Sequence, residues 1–517
     1  MRQKVTNRNN NSANYTLPAP TGGLNARDSL DTMSEIDAVV MDNYLPSDTK
    51  VSLRKGYITY ANLDYKILTL AEYSRPAFNR FFAFGGGNVW DITSKNNIKK
   101  IKDGFGNNQW QYIQFRNRLI LVNGQDKPQT FYIDENEQDC WCDAAFEGDN
   151  LHAEKLINVA VSKQRLFFVE KGSLSVWYSQ GVGEVQGTLT KLDMSSIFQC
   201  GGELISVASW TQDGGQGVDD LTVFITSKGE VAVYSGNDPS NSDDWFLKGV
   251  YQMSRPIGYR CTLQYQGDVV IISEDGYVPL SKALSQDKAN ASQISFSDKI
   301  RGLVLERTKN GKNKSGWQGI IYGRGGYAIF NVPVSQQFEQ HVVNLNGGSW
   351  CRFTGIRSFC WGSFGDRIYF GGDNGVFLFD EGYSDNGAHI CGVVEQAFSN
   401  LGNPNLKRIQ LINPRTKSST KYALVVYTNM DFEERKVSYA ETIGSGGITK
   451  WENAGWSCLK RPIGTKWATL KGKIRNQWIG NSATGFKASV VFKTKTKGNI
   501  IEWFDTGFRY EQGSNIL

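Results

Sequence analysis

The sequence predicts a mainly β protein: a β-propeller of six or seven blades, led by an N-terminal arm and helix and followed by a β-sandwich-like C-terminal domain. Three observations point there. A hairpin motif recurs through the middle of the chain. Its turns carry Lys-Gly, Asp-Gly and Asn-Gly pairs, which supply the positive φ of tight hairpins. The 517 residues also include 55 Gly, only 12 Pro and 12% aromatics, a composition that suits a turn-rich β fold better than a helical one.

The elements follow in chain order. Residues 1–28 open with MRQKVTNRNNNSANYT, basic and Asn-rich but without the apolar core of a signal peptide, so they read as an extended basic arm. Pro18, Pro20, Gly22 and Gly23 interrupt any regular element, and the chain arrives extended. In 29–56, Ser34 with Asp37 three residues on approximates a capping box. Ile36, Val39, Val40 and Tyr44 follow at helical spacing, predicting an amphipathic helix that stops near Asn43, ahead of Pro46, and then a lead-in strand.

The propeller is assigned to 57–398. NRFFAFGGG from Asn79, FRNRLILVNG from Phe115, VSKQRLFFVEKG from Val161, YQGDVVIISEDG from Tyr265 and FGDRIYFGGDNG from Phe364 are copies of one pattern, and LTVFITSKGEVAVYSG from Leu221 is a looser one. Each has a polar turn, an apolar run and a second turn before another strand. They recur at roughly blade-like intervals of 40 to 60 residues, and their apolar runs suit strands covered on both faces. Ser297-Asp-Lys-Ile-Arg with Leu303, Val304 and Arg307 predicts a helix inserted near 297–307. Beyond about Glu395 the motif disappears and the strands become polar on one face, so 399–517 reads as a separate β-domain with a loop at Ser445-Gly-Gly.

Catalytic and metal chemistry finds little support. The only histidines are His152, His341 and His389, with no metal-ligand spacing and no adjacent nucleophile motif. Eight cysteines include one Cys-x-Cys, Cys140 and Cys142, without the second pair of a zinc site, and read as reduced thiols. GKNKSG from Gly311 lacks the Gly-Lys-Ser/Thr ending of a phosphate loop and reads as an exposed turn. GGGNVW from Gly85 is an ordinary hairpin turn. NDPSNSDDW from Asn237 lacks ordered Ca²⁺-loop spacing. SEDGY from Ser273 departs from a sialidase-type Asp box. The expectation is therefore no cofactor, no metal site and no enzyme. Apolar runs such as LTVFI are also far shorter than the roughly 20 residues of a membrane-spanning helix.

Charge is divided unevenly. Residues 129–250 hold 19 Asp and Glu against 7 Lys and Arg, and residues 395–499 hold 18 basic against 6 acidic. The overall charge of +6 conceals this polarity. It is compatible with solvated faces, with copies that meet through opposite charges, or with different faces for different partners.

GGLNARDSLDTMSEIDAVVMDNYLPSDTKVSLRKGY, the stretch SWTQDGGQGVDDLTVFITSKGEVAVYSGNDPSNSDDWFLKGVYQMSRPIGYRC, then VVIISEDGYVPLSKAL, GSWCRFTG and YFGGDNGVFLFDEG resemble, in that order, structural proteins of tailed bacteriophages. The resemblance is closest to the tail nozzle or hub proteins of short-tailed phages, the packaged-DNA stabilisation or tail tubular protein B type. It implies a virion protein, assembled in the host cytoplasm, that forms a six-fold ring below the portal and its adaptor. Such a ring would carry fibres or spikes, retain packaged DNA and let the duplex pass without sequence-specific binding. Under that resemblance Gly22, Gly23, Leu24, Asn25, Arg27 and Asp28 become candidates for a docking arm or an intramolecular lid. An acidic wall avoids gripping sliding phosphates, which makes Asp219, Asp220, Asp243 and Asp244 the candidate channel-facing residues. The alternatives are a phage-borne propeller enzyme that degrades host-surface polysaccharide and a generic propeller scaffold.

Overall fold

The structure is a computed structural model that describes residues 12–213, 218–285, 295–419, 422–434, 441–443 and 473–513. The first eleven residues of the arm and the Ser445 loop lie outside the described residues. The chain divides into two units, one of residues 59–340 and 355–379, the other of residues 1–58, 341–354 and 380–517.

The recurring sequence motif becomes the inner hairpin of a propeller blade. Among the described residues, six sheets of three to five strands lie in the first unit, and each holds one of the six motif copies. Blade 1 runs from Ile67–Arg75 to Lys99–Lys102, blade 2 from Gln111–Phe115 to Asp139–Asp143, and blade 3 from Leu156–Ser162 to Gly187–Asp193. Blade 4 spans Leu204–Asp213 to Phe246–Gln252, blade 5 is Thr262–Tyr265, Asp268–Ser273 and Gly276–Pro279, and blade 6 begins at Cys360–Phe364. First strands pack on first strands between Gln111–Phe115 and Leu156–Ser162, between Leu156–Ser162 and Leu204–Asp213, and between Cys360–Phe364 and Ile67–Arg75, which makes them the inner strands of their blades.

Apolar side chains between neighbouring blades hold them together. Phe82, Phe84 and Tyr73 of blade 1 meet Leu119, Leu121 and Phe131 of blade 2. Phe167 and Val169 of blade 3 meet Val207 and Phe224 of blade 4. The second strands are buried along nearly their whole length, as in Leu119–Val122 and Val269–Ser273, because both faces of each blade are covered. The inner turns carry positive φ on ordinary residues as well as glycine, including Arg116, Lys163, Gln164, Gln266 and Asp366. Strand pairing on either side imposes this left-handed geometry.

Blade 6 takes its fourth strand from Tyr57–Asn62, far upstream in sequence. Gly375 sits at that seam with φ of +141°, and a Cβ there would stand 2.1 Å from the Ala61 carbonyl oxygen. Gly375→Ala is expected to destabilise this unit by more than the roughly 1–2 kcal/mol of left-handed strain alone. Thermal unfolding together with hydrogen exchange at residues 59–62 would detect it.

The inserted helix is present, slightly later than expected: a 3₁₀ turn at Asp298–Ile300 runs into a helix at Arg301–Gly311. Ser297 does not cap it. Its hydroxyl instead accepts the Tyr277 backbone N–H at 3.0 Å. Val304, Thr308 and Gly311 form the buried face, and the Thr308 hydroxyl donates to the Glu274 carbonyl at 3.0 Å. The hairpin Gln318–Tyr322 and Tyr327–Val334 follows, its first strand packed between those of blades 5 and 6.

The second unit corrects three expectations. There is no helix at Ser34–Asn43: Asp37–Asp42 is a strand. It pairs antiparallel with Ile390–Gln396 and, on its other side, parallel with Gly23–Leu24. Ser34 does mark a turn, its carbonyl accepting the Asp37 N–H at 2.9 Å. Beyond that turn, a β-branched segment with paired strands on both sides gains ladder hydrogen bonds that no isolated two-turn helix offers.

The arm, too, is built in: Ser12–Pro18 pairs throughout with the C-terminal strand Ile501–Gln512. The β-domain therefore is not 399–517 alone, and the propeller does not extend to 398. Two sheets share strands from both chain ends. One is ordered around Lys407–Ser418, Ile501–Gln512 and Val51–Leu53, the other around Asp37–Asp42, Ile390–Gln396 and Ala488–Thr496. Phe492 of one sheet stacks on Trp503 of the other with centroids 4.7 Å apart, and the Tyr44 hydroxyl bonds Thr494 Oγ1 at 2.8 Å.

Candidate functional site

The inner strands of the propeller converge on its axis, and polar side chains collect there. A cavity of about 170 Å³ is lined by Thr69 and Leu70 of blade 1, Gln111 and Tyr112 of blade 2, Thr262 of blade 5 and Gln318 of the hairpin. Arg260, just ahead of blade 5, separates it from a second cavity of about 250 Å³ and lines both. Its guanidinium reaches blades 1 and 2, donating to the Leu68 carbonyl at 3.1 Å, Thr69 Oγ1 at 2.6 Å and the Trp110 carbonyl at 2.9 Å. All three acceptors are neutral. Desolvation holds the Arg260 pKa below the usual arginine value, and a cation held this way attracts an anion.

The second cavity opens among loops that precede or follow the inner hairpins. Lys171, Arg260, Lys312 and Lys314 line it, with Gln109, Gln111, Asn107, Asn123 and Asn313, and among the described residues no carboxylate is in its wall. Its rim includes the GKNKSG turn, exposed as expected but directed to the axis. The turn follows a helix instead of opening one: the Lys312 N–H donates to the Thr308 carbonyl and the Lys314 N–H to the Gly311 carbonyl, both at 3.0 Å. At the far side of the propeller a third cavity, of about 900 Å³, has a mixed wall with Glu72, Asp366, Arg324 and Arg367. There burial raises the Glu72 pKa, against lowering by hydrogen bonds from the Gly365 N–H and the Ser363 hydroxyl.

The residues singled out from sequence lie elsewhere. Gly22 to Asp28 belong to the second unit. Gly23, with φ of +82°, joins the strands of Asp37 and Trp350, and a Cβ there would be 2.5 Å from the Trp350 carbonyl. Leu24 and Asn25 are buried. Asn25 Oδ1 accepts the backbone N–H of Arg27 and Asp28, each at 3.1 Å, and its amide donates to Asp37 at 2.8 Å. Arg27 pairs with Asp28 at 2.7 Å. These contacts are internal, so the segment is a structural part of its own unit.

The four aspartates share one end of blade 4. Asp219 and Asp220 pair by backbone with Gln212 and Thr211 near the end of the first strand and the start of the second, and Asp220 accepts the Thr211 hydroxyl at 2.8 Å. Asp243 and Asp244 lie in the loop joining the two outer strands. Asp244 accepts the N–H groups of Asn237 and Asp238 at 2.9 and 3.1 Å. Among the described residues, the acid-rich stretch 129–250 gives the 250 Å³ cavity Ile157 and Lys171 and none of its carboxylates.

Among the described residues, no cluster of His, Cys, Asp and Glu is placed to hold a metal ion. Nor is any helix among them long and apolar enough to cross a membrane.

Neither a family model nor a curated protein sequence matches the chain. Among solved structures it is similar to a Bacteroides fragilis protein provisionally named a 6-phosphogluconolactonase, at 13% identity and a TM-score of 0.32, over 68% of this chain and 92% of that one. A Bacteroides uniformis protein with the same provisional name has 10% identity and a TM-score of 0.34, over 64% and 92%. Both names are those of enzymes, which runs against the expectation of a non-enzyme, and that expectation is withdrawn. At these identities and TM-scores the likeness assigns no reaction.

Proposed function

We propose that the chain is a ring subunit of the tail nozzle of a short-tailed bacteriophage, placed below the portal and adaptor, where it retains packaged DNA and conducts it at ejection. The observation that carries this reading is the ordered series of resembling segments from Gly22 to Gly382. Those segments fall on elements central to each unit: the paired strands Gly23–Leu24 and Asp37–Asp42, blade 4, and the second strands of blades 5 and 6.

Two further features support it. Net charges of opposite sign in 129–250 and 395–499 suit head-to-tail contacts between copies, which close a ring by rotation and need no symmetry inside the subunit. The antiparallel pairing of Ser12–Pro18 with Ile501–Gln512 ties both chain ends into one sheet, a sound attachment for a subunit under load. In this reading the ring is a hexamer, fibres or spikes attach to it, and duplex DNA passes without sequence-specific contacts. Asp219, Asp220, Asp243 and Asp244 then contribute to the lumen of the assembled ring.

Quantitative mass analysis and electron microscopy of purified phage particles test the proposal. The expected result is a closed ring of this chain in the tail at six copies per particle. Absence from the particle, or presence at a stoichiometry incompatible with a ring, would overturn it.

A further inference from the structure

We propose that the basic cavity at the propeller axis binds a small organic phosphate, a phosphate monoester with a short hydroxylated body. The argument starts from the balance of charge. Lys171, Arg260, Lys312 and Lys314 face a wall in which no carboxylate is found among the described residues. Only Lys312 has an acidic partner, Glu274 at 3.0 Å, which leaves three cations among the described residues without one.

Nearby carboxylates are already engaged. Asp126 accepts the Asn123 amide at 2.7 Å and the N–H groups of Gly106 and Asn107. Glu203 accepts the Gly172 N–H at 3.0 Å, and its charge helps to raise the Tyr259 pKa, after desolvation. Three like charges around one concavity repel each other unless an anion joins them, and a phosphate dianion with several acceptor oxygens fits that requirement.

The neutral lining selects the rest of the ligand. The side-chain amides of Gln109, Gln111 and Asn313 make no hydrogen bond within the protein among the described residues, although each lines the cavity. Each offers both a donor and an acceptor, the complement of hydroxyl groups. A volume of about 250 Å³ far exceeds the ~10–15 Å³ that one water-sized group occupies, so phosphate alone would leave much of it unfilled. The site lies wholly in the propeller unit and does not depend on ring formation.

Calorimetric titration of the full chain with sn-glycerol 3-phosphate, inorganic phosphate and glycerol tests the inference. One monoester is expected to bind per chain, more tightly than inorganic phosphate and more weakly as salt rises, with no binding of glycerol. Lys171→Met and Lys314→Met replace exposed side chains without ion-pair partners among the described residues and should fold normally. Each is expected to weaken binding at least about fivefold, and the pair at least about twentyfold. Lys248→Met, on the outer strand of blade 4, should leave binding unchanged. Failure of the folded wild-type chain to bind the monoester at 5 mM would overturn the proposal, as would full binding by the double lysine variant. A preference of the same site for a 20-base-pair DNA duplex over the monoester would also overturn it.

Discussion

Replacing Arg54 by methionine is expected to cost its unit about 3–5 kcal/mol, because it leaves a buried carboxylate without its cation. Arg54 lies between the two short strands near the N-terminus and the start of the propeller, and its side chain is 2% exposed. Both terminal nitrogens pair with Asp385, each at 2.7 Å. Nε donates to Asn43 Oδ1 at 2.8 Å, and the remaining hydrogens reach the carbonyls of Lys55 and Thr354 at 3.0 and 3.1 Å. The guanidinium therefore ties 43–55, 354 and 385 together with five donors used. Arg54→Met with Asp385→Leu is expected to recover most of the loss, since a well-packed apolar pair avoids the desolvation cost that the lone carboxylate incurs. Urea unfolding followed by hydrogen exchange in residues 37–53 measures both. A single variant as stable as the wild type would mean that Asp385 finds water or another cation without Arg54.

Removal of residues 1–18 is expected to destabilise the same unit by on the order of 5 kcal/mol, from the burial of Leu17 and the loss of a run of ladder hydrogen bonds. Seven consecutive residues pair with Ile501–Gln512, Leu17 and Ala19 are fully buried, and the Gln396 amide donates to the Pro18 carbonyl at 2.7 Å. The deletion also uncovers a long strand edge, so the truncated chain should associate through it. Unfolding midpoints and light scattering on the truncated chain read the two effects. An unchanged midpoint would make the segment the dispensable arm that its composition suggests.

The axial site was partly written in the sequence and partly not. GKNKSG was visible as an exposed turn, and its two lysines do line a cavity. Nothing in IGYRC, the stretch that ends at Cys261, distinguishes Arg260 from a surface arginine. Its role comes from the position of blade 5 across the axis from Leu68 and Trp110, and neither proximity is local in sequence. Likewise Arg54 and Asp385 are over three hundred residues apart, and no pattern in either neighbourhood announces the pair.

The blades were legible because each one is made by consecutive residues. A tight turn, an apolar run covered on both faces and a second turn are encoded within about 20 residues, so the six copies from Asn79 to Gly375 could be read without knowing what they pack against. The stretch from Ser34 to Tyr44 could not. Its apolar spacing fits a helix locally, and only the arrival of Ile390–Gln396 on one side and Gly23–Leu24 on the other makes a strand the better solution. The sequence by itself determined the propeller, whose hydrogen bonds are mostly short-range. The tertiary structure alone decided the second unit, where strands from both chain ends complete each other's ladders and long-range pairing outweighs local propensity.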